Sequence, residues 1–226
     1  MDNASPRLIP LWIKIPYTAF MAVIIPVYLY HYGPTNFLYF CDVAIVMTLI
    51  AVWIESPVLC SAGLVGIFLP QMLWVADFMA ELFGFHLTGL TGYMFDTRKD
   101  FYLRFLSFFH FWLPFLLILL VWQVGYDRRG IVLWTVLTWI LVPVCYFLMP
   151  GPGENGGDFN LPVNINYVQG FSESEAQTWM APNLYFAVLM VALPVGIFLP
   201  THLLFQWLMP APRLQKSVTG AEIADP

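Results

Sequence analysis

Long apolar runs separated by short polar stretches dominate this chain. Six of them, near residues 10–30, 37–54, 58–82, 102–125, 130–149 and 184–208, approach the roughly 20 residues that a helix needs to cross a hydrocarbon core. An open-edged sheet leaves backbone groups unsatisfied in lipid, so runs of this kind predict helices. The pattern therefore predicts an all-α fold: a polytopic transmembrane bundle of about six transmembrane helices, one domain over residues 1–210, with 211–226 as a disordered cytoplasmic tail.

Prolines punctuate five of the six runs: Pro16 and Pro26, Pro70, Pro114, Pro143, then Pro194 and Pro200. Each removes a backbone hydrogen bond and is able to kink its helix. The second run has none, which predicts the straightest helix and a rigid support for a site. Between the runs, GFHLTGLTGYMFDTRKD (84–100) repeats Leu-Thr-Gly and reads as an interfacial loop or re-entrant turn. GYDRRG (125–130) reads as a tight turn. The segment 149–183 starts rich in Gly and Pro and ends rich in Asn, Tyr and Trp, as expected of a loop that folds back onto the bundle.

Composition reinforces the bilayer reading. Apolar residues make up 60% of the chain and charged ones 10%, against about 25% charged in soluble domains. With six crossings, Arg7, Lys14, Arg128, Arg129, Arg213 and Lys216 fall on one side and Arg98, Lys99 and Arg104 on the other. The positive-inside rule then puts both termini in the cytoplasm, in a multi-pass protein of the bacterial cytoplasmic (inner) membrane. The first run is flanked by Lys14 and followed by no small-residue cleavage pattern, so it reads as a retained anchor. Cys41, Cys60 and Cys145 all lie in apolar runs, which argues against a disulfide framework. No basic patch suggests a nucleic-acid partner.

The polar residues inside the runs are unevenly placed. Asn36, Cys41 and Asp42 open the second run, Asp77 and Glu81 share a helical face late in the third, and Arg104, Ser107 and His110 occupy the start of the fourth. Asn183 opens the sixth. In the predicted topology all of these sit in the outer half of the membrane. Ionisable groups there cost about 2.5–3.5 kcal/mol on insertion scales and turn toward the bundle interior, which predicts an outward-facing polar pocket.

Its chemistry suggests an activated thiol: Cys41 as nucleophile, His110 as base, Asp42 or Asp77 as the carboxylate orienting that base, and Asn36, Glu81, Arg104 and Asn183 as substrate-binding groups. Simpler readings stand beside these. Asp77, Glu81 and Arg104 serve equally as interfacial charge pairs, Cys41 as a small core side chain, and His110 as a histidine bonded to a backbone carbonyl. His202 and Gln206 read as interhelical hydrogen-bonding groups, and His31 with Tyr30 and Tyr32 as an aromatic belt. No metal-ligand spacing is present and no cofactor motif appears.

The stretch NFLYFCDVA resembles the second-helix pattern of bacterial YwaF-like integral membrane proteins, and with His110 and VNINY the likeness extends loosely over residues 35–185. Those proteins are in turn similar to the androgen-induced-gene family of membrane lipid hydrolases, which use a Thr and a His. The resemblance implies about six helices and acyl-ester chemistry on membrane lipids, a lipid acyl hydrolase or acyltransferase, with Cys41 and His110 the positions carried over. No Thr or Ser occupies the turn around Cys41. LPTHLL (199–204) is similar to a signature of uncharacterised bacterial membrane-associated proteins and implies no activity. The alternative expectation is a non-catalytic accessory subunit that packs against a membrane protein partner. A transporter is disfavoured by the apolar inner half.

Overall fold

The computed structural model describes residues 7–154, 156–158 and 160–212; Arg213, Lys216 and the remainder of the expected tail lie outside them. Among the described residues the regular structure is helical throughout, with no strand. The helices are α1 (Leu11–His31), α2 (Phe40–Ile54), α3 (Pro57–Leu82), α4 (Phe101–Ser107), α5 (Phe109–Val124), α6 (Arg129–Leu148), α7 (Pro182–Leu193) and α8 (Leu199–Leu208).

Five stretches are long and apolar enough to cross a membrane: α1, α3, α4 with α5 (Phe101–Val124), α6, and α7 through α8 (Pro182–Leu208). The second predicted span is shorter than its apolar run. Residues Pro34–Leu38 form a 3₁₀ turn and Tyr39 is extended, so α2 keeps 15 residues. At 1.5 Å per residue that is about 22 Å, short of a core about 30 Å thick.

The prolines act unequally. α3 runs 26 residues straight through Pro70. The fourth apolar run breaks between α4 and α5 at Phe108, six residues before its proline. In the last run the break does coincide with a proline, as a π-helical turn over Pro194–Phe198, where Pro194 has no N–H to hold the regular ladder.

α3 is the most deeply buried of the long helices and packs against α2, α5 and α6. Its approach to α6 depends on missing side chains. The Trp134 indole lies where a Cβ on Gly66 would sit, and a Cβ on Gly130 would meet Ser61 and the Ala62 nitrogen at 2.8 Å. The two helices run parallel, since Gly130 meets Ser61 and Trp134 meets Gly66, four residues further along α6 and five along α3. The same progression brings Thr138 to the level of Gln71. Gln71 and Thr138 are buried, and the side-chain polar atoms of both, together with Trp134 Nε1, have no hydrogen-bond partner among the described residues.

Both ends of the described chain lie at one end of the bundle. There Glu55, left-handed at φ 52°, follows α2, and Ser56 caps α3 by accepting from the Leu59 N–H. Pro57 at the first turn needs no N–H partner. The Glu55 carboxylate gathers the Leu8 N–H at 2.9 Å, the Ile9 N–H at 3.2 Å and Lys14 Nζ at 2.7 Å. Burial opposes its ionisation, but these donors prevail and hold the carboxyl below its ordinary value of 4.5. In the α5–α6 turn the Asp127 N–H donates to Ser61 Oγ, the Asp127 carboxylate takes a forked bond from Arg129, and the Tyr126 N–H reaches the Pro210 carbonyl at 2.8 Å. His202 bonds the Tyr126 hydroxyl at 2.8 Å and so ties α8 to the α5–α6 turn rather than to another helix.

Candidate functional site

The opposite end of the bundle gathers the other polar groups, and its geometry begins with how α2 is seated. The first N–H of α2 has no partner within its own helix. Asn166 supplies one from the 149–181 segment: its Oδ1 accepts the Phe40 N–H at 2.9 Å while its Nδ2 donates to the Leu38 carbonyl at 2.8 Å and to Cys145 Sγ at 3.5 Å. Asn166 holds φ at 60°, a left-handed conformation that Asn tolerates better than most residues. The loop thus folds back and fixes the helix end that bears Cys41 and Asp42.

Asp42 is 3% exposed. Its Oδ2 accepts from Asn36 Nδ2 at 3.1 Å and from the Cys41 thiol at 3.9 Å. Its Oδ1 is buried with no hydrogen-bond partner among the described residues. A carboxylate has about four acceptor positions, so this one is far from saturated.

Tyr32 and Tyr39 feel the charge of Asp42. Tyr28 bonds Ser107 Oγ at 2.9 Å, and Tyr93 accepts from the Trp74 indole at 3.3 Å. Burial, first of all, pushes the phenols of Tyr32, Tyr39 and Tyr93 up, Tyr32 to about 12. Asp42 adds to the rise at Tyr32 and Tyr39, and Cys41 at Tyr39 and Tyr93. These phenols remain neutral hydrogen-bonding groups across the physiological range.

His110 packs against the same wall. Its ring stacks on Trp74 with centroids 5.4 Å apart, and its Nδ1 meets the Ser107 carbonyl at 2.7 Å. A carbonyl accepts only from N–H, so the neutral ring carries its proton on Nδ1 and leaves Nε2 as the acceptor. Among the described residues no hydrogen bond joins His110 to Cys41, Asp42 or Asp77.

The remaining predicted site residues serve other contacts. Asp77 is fully buried and organises the Leu-Thr-Gly repeat: Oδ1 takes the Thr88 N–H and Oγ1 and the Gly89 N–H, while Oδ2 takes the Thr91 N–H and Oγ1. Glu81 pairs with His86 at 2.7 Å, an ion pair that raises the imidazole's affinity for its proton. Arg104 donates to the Met94 carbonyl at 3.1 Å and lies over the Phe101 ring. Asn183 is exposed and accepts from the Tyr146 hydroxyl at 3.1 Å. Asn36 stays with Asp42.

The arrangement offers a thiol touching a carboxylate that has an acceptor to spare; His110, stacked on Trp74, has no hydrogen bond at Nε2 among the described residues. Asn166, Tyr93 and Trp74 are the contributors that sequence reasoning did not assign. The paired asparagines of VNINY were the one signal for the first, since alternate Asn residues suit left-handed turns. No group of three His, Cys, Asp or Glu among the described residues is placed to hold a metal ion. Compared with protein-family models, curated proteins and solved structures, the chain matches none.

Proposed function

We propose that this chain is a membrane-embedded acyltransferase acting on lipids, with Cys41 as the nucleophile that carries the acyl group. The observation that supports it most is the 3.9 Å contact between the Cys41 thiol and Asp42 Oδ2. A thiol becomes nucleophilic when a neighbouring group takes its proton, and Asp42 is the group placed to do so. His110, whose Nε2 has no hydrogen-bond partner among the described residues, is a second candidate base. The likeness of NFLYFCDVA to the YwaF-like pattern points toward the same acyl-ester chemistry. The topology that accompanies the proposal has six passes, with α2 as the short one, and both termini in the cytoplasm of a bacterial inner membrane. Lipid substrate then reaches Cys41 from the non-cytoplasmic side.

The test uses the full chain in phosphatidylcholine nanodiscs carrying a phospholipid with an alkyne-tagged acyl chain. A hydroxylamine-labile label on the protein is expected, lost in Cys41→Ala and retained in Cys60→Ala and Cys145→Ala. A label that persists in Cys41→Ala, or the lack of any label, overturns the proposal.

A further inference from the structure

We propose that the acyl acceptor at this site is a primary amine, held as its ammonium by Asp42, so that the product of transfer from Cys41 is an amide. The inference rests on the acyl-transfer reading above and names the class of its second substrate.

Asp42 carries the argument. It is 3% exposed, and Asn36 and Cys41 are its only hydrogen-bond donors among the described residues, both on Oδ2. Among the described residues no Lys, Arg or His bonds it, and Oδ1 is buried and unpartnered. A buried carboxylate without a cation is strongly disfavoured, and a ligand bringing positive charge and N–H donors to Oδ1 satisfies it on both counts. A hydroxyl supplies one donor and no charge.

The surrounding rings make the same selection. The charge of Asp42 adds to the raised phenols of Tyr32 and Tyr39. Aromatic faces attract ammonium groups. The rim of the site already displays this preference: Lys99 Nζ lies 6.0 Å from the Tyr32 ring centroid and 5.9 Å from that of Tyr93.

The position of Oδ1 makes the bound ammonium a reactant. The other oxygen of the same carboxylate is 3.9 Å from Cys41 Sγ, so a nitrogen held at Oδ1 lies beside a thioester formed on that sulfur. Asp42 takes one proton from the ammonium. The freed nitrogen pair attacks the thioester carbonyl carbon, the C–N bond forms, and the C–S bond breaks. The departing thiolate takes the second proton from nitrogen, and Asp42 later releases its own to solvent. The sum is thioester plus ammonium giving thiol, amide and one proton, with no redox change and no further co-reactant.

The experiment follows the labelled protein after donor is removed. Nanodiscs bearing labelled full-length protein are fused with vesicles of dioleoyl phosphatidylethanolamine or of dioleoyl phosphatidylglycerol, matching a primary amine against a hydroxyl headgroup. Label is expected to leave Cys41 at least tenfold faster with the amine lipid and to appear as hydroxylamine-resistant N-acyl lipid. In Asp42→Asn, discharge per labelled molecule is expected to fall at least tenfold. Equal discharge by the two lipids, or by water alone, overturns the amine inference and leaves the acyl-enzyme reading standing. Failure of any label to form removes both.

Discussion

The indole of Trp134 occupies the space where Gly66 would carry a side chain. α3 and α6 are held at backbone contact by that pairing and by Gly130 against Ser61. An indole fixed between helices has no free end to swing aside, so one added methyl group must push the helices apart. Gly66→Ala is expected to destabilise the protein by about 1–3 kcal/mol, the usual cost of overpacking, or more where the helices separate. Thermal unfolding in detergent measures it, and Gly196→Ala, with open space at its Cβ, is the control.

Gln71 on α3 makes the opposite prediction. Both polar atoms of its amide are buried and unpartnered among the described residues, and an unsatisfied buried group costs about 1–3 kcal/mol. Gln71→Leu, close in volume, is expected to raise the unfolding temperature. A fall would mean that the amide is satisfied by something that binds between α3 and α6.

The Glu55 carboxylate ties the chain before α1 and Lys14 to the α2–α3 corner. Its folded value lies below 4.5, so its contribution is complete above that pH and fades as pH falls through the lowered folded value. Asp127, held low first by Arg129, adds in the same direction at the same end. Glu55→Gln leaves Lys14 buried without its counter-charge and is expected to cost about 3–5 kcal/mol at neutral pH. The variant should also show a shallower loss of stability on acidification, readable as melting temperature between neutral pH and the carboxylate range.

Asp77 should prove to be a loop residue in its phenotype. Asp77→Asn turns one amide nitrogen toward donors that need acceptors, so the turns at 88–91 lose their anchor while the helices remain packed. Limited proteolysis within 84–100 is expected to accelerate severalfold with little change in helicity by circular dichroism. Protection equal to wild type would show that the threonines hold the loop without the carboxylate.

The long helices were legible because apolar runs of this length have few other uses. The length of α2 was not: residues 37–39 are as apolar as the helix that follows, and only the contacts of Asn166 mark where it begins. The Asn36, Cys41 and Asp42 grouping could be read from the cost of polar side chains in such a run. Whether a given carboxylate had a vacant oxygen could not, since that depends on distant partners. Asp77 and Asp42 look alike in the sequence, yet Thr88, Gly89 and Thr91 saturate one of them and nothing among the described residues saturates the other. The lack of prolines in the second run gave no hint of the returning loop, whose Asn166 holds the start of α2.

The wide turn at Pro194–Phe198 holds one residue more than an ordinary helical turn, so it sets the angular phase of everything that follows. Excising a single residue there would rotate α8 by about 100° about its axis. Phe205, now edge-on to Phe68 on α3, would swing outward, and His202 would leave Tyr126. The residue count of this stretch is locked, as a clock hand is locked to its gear.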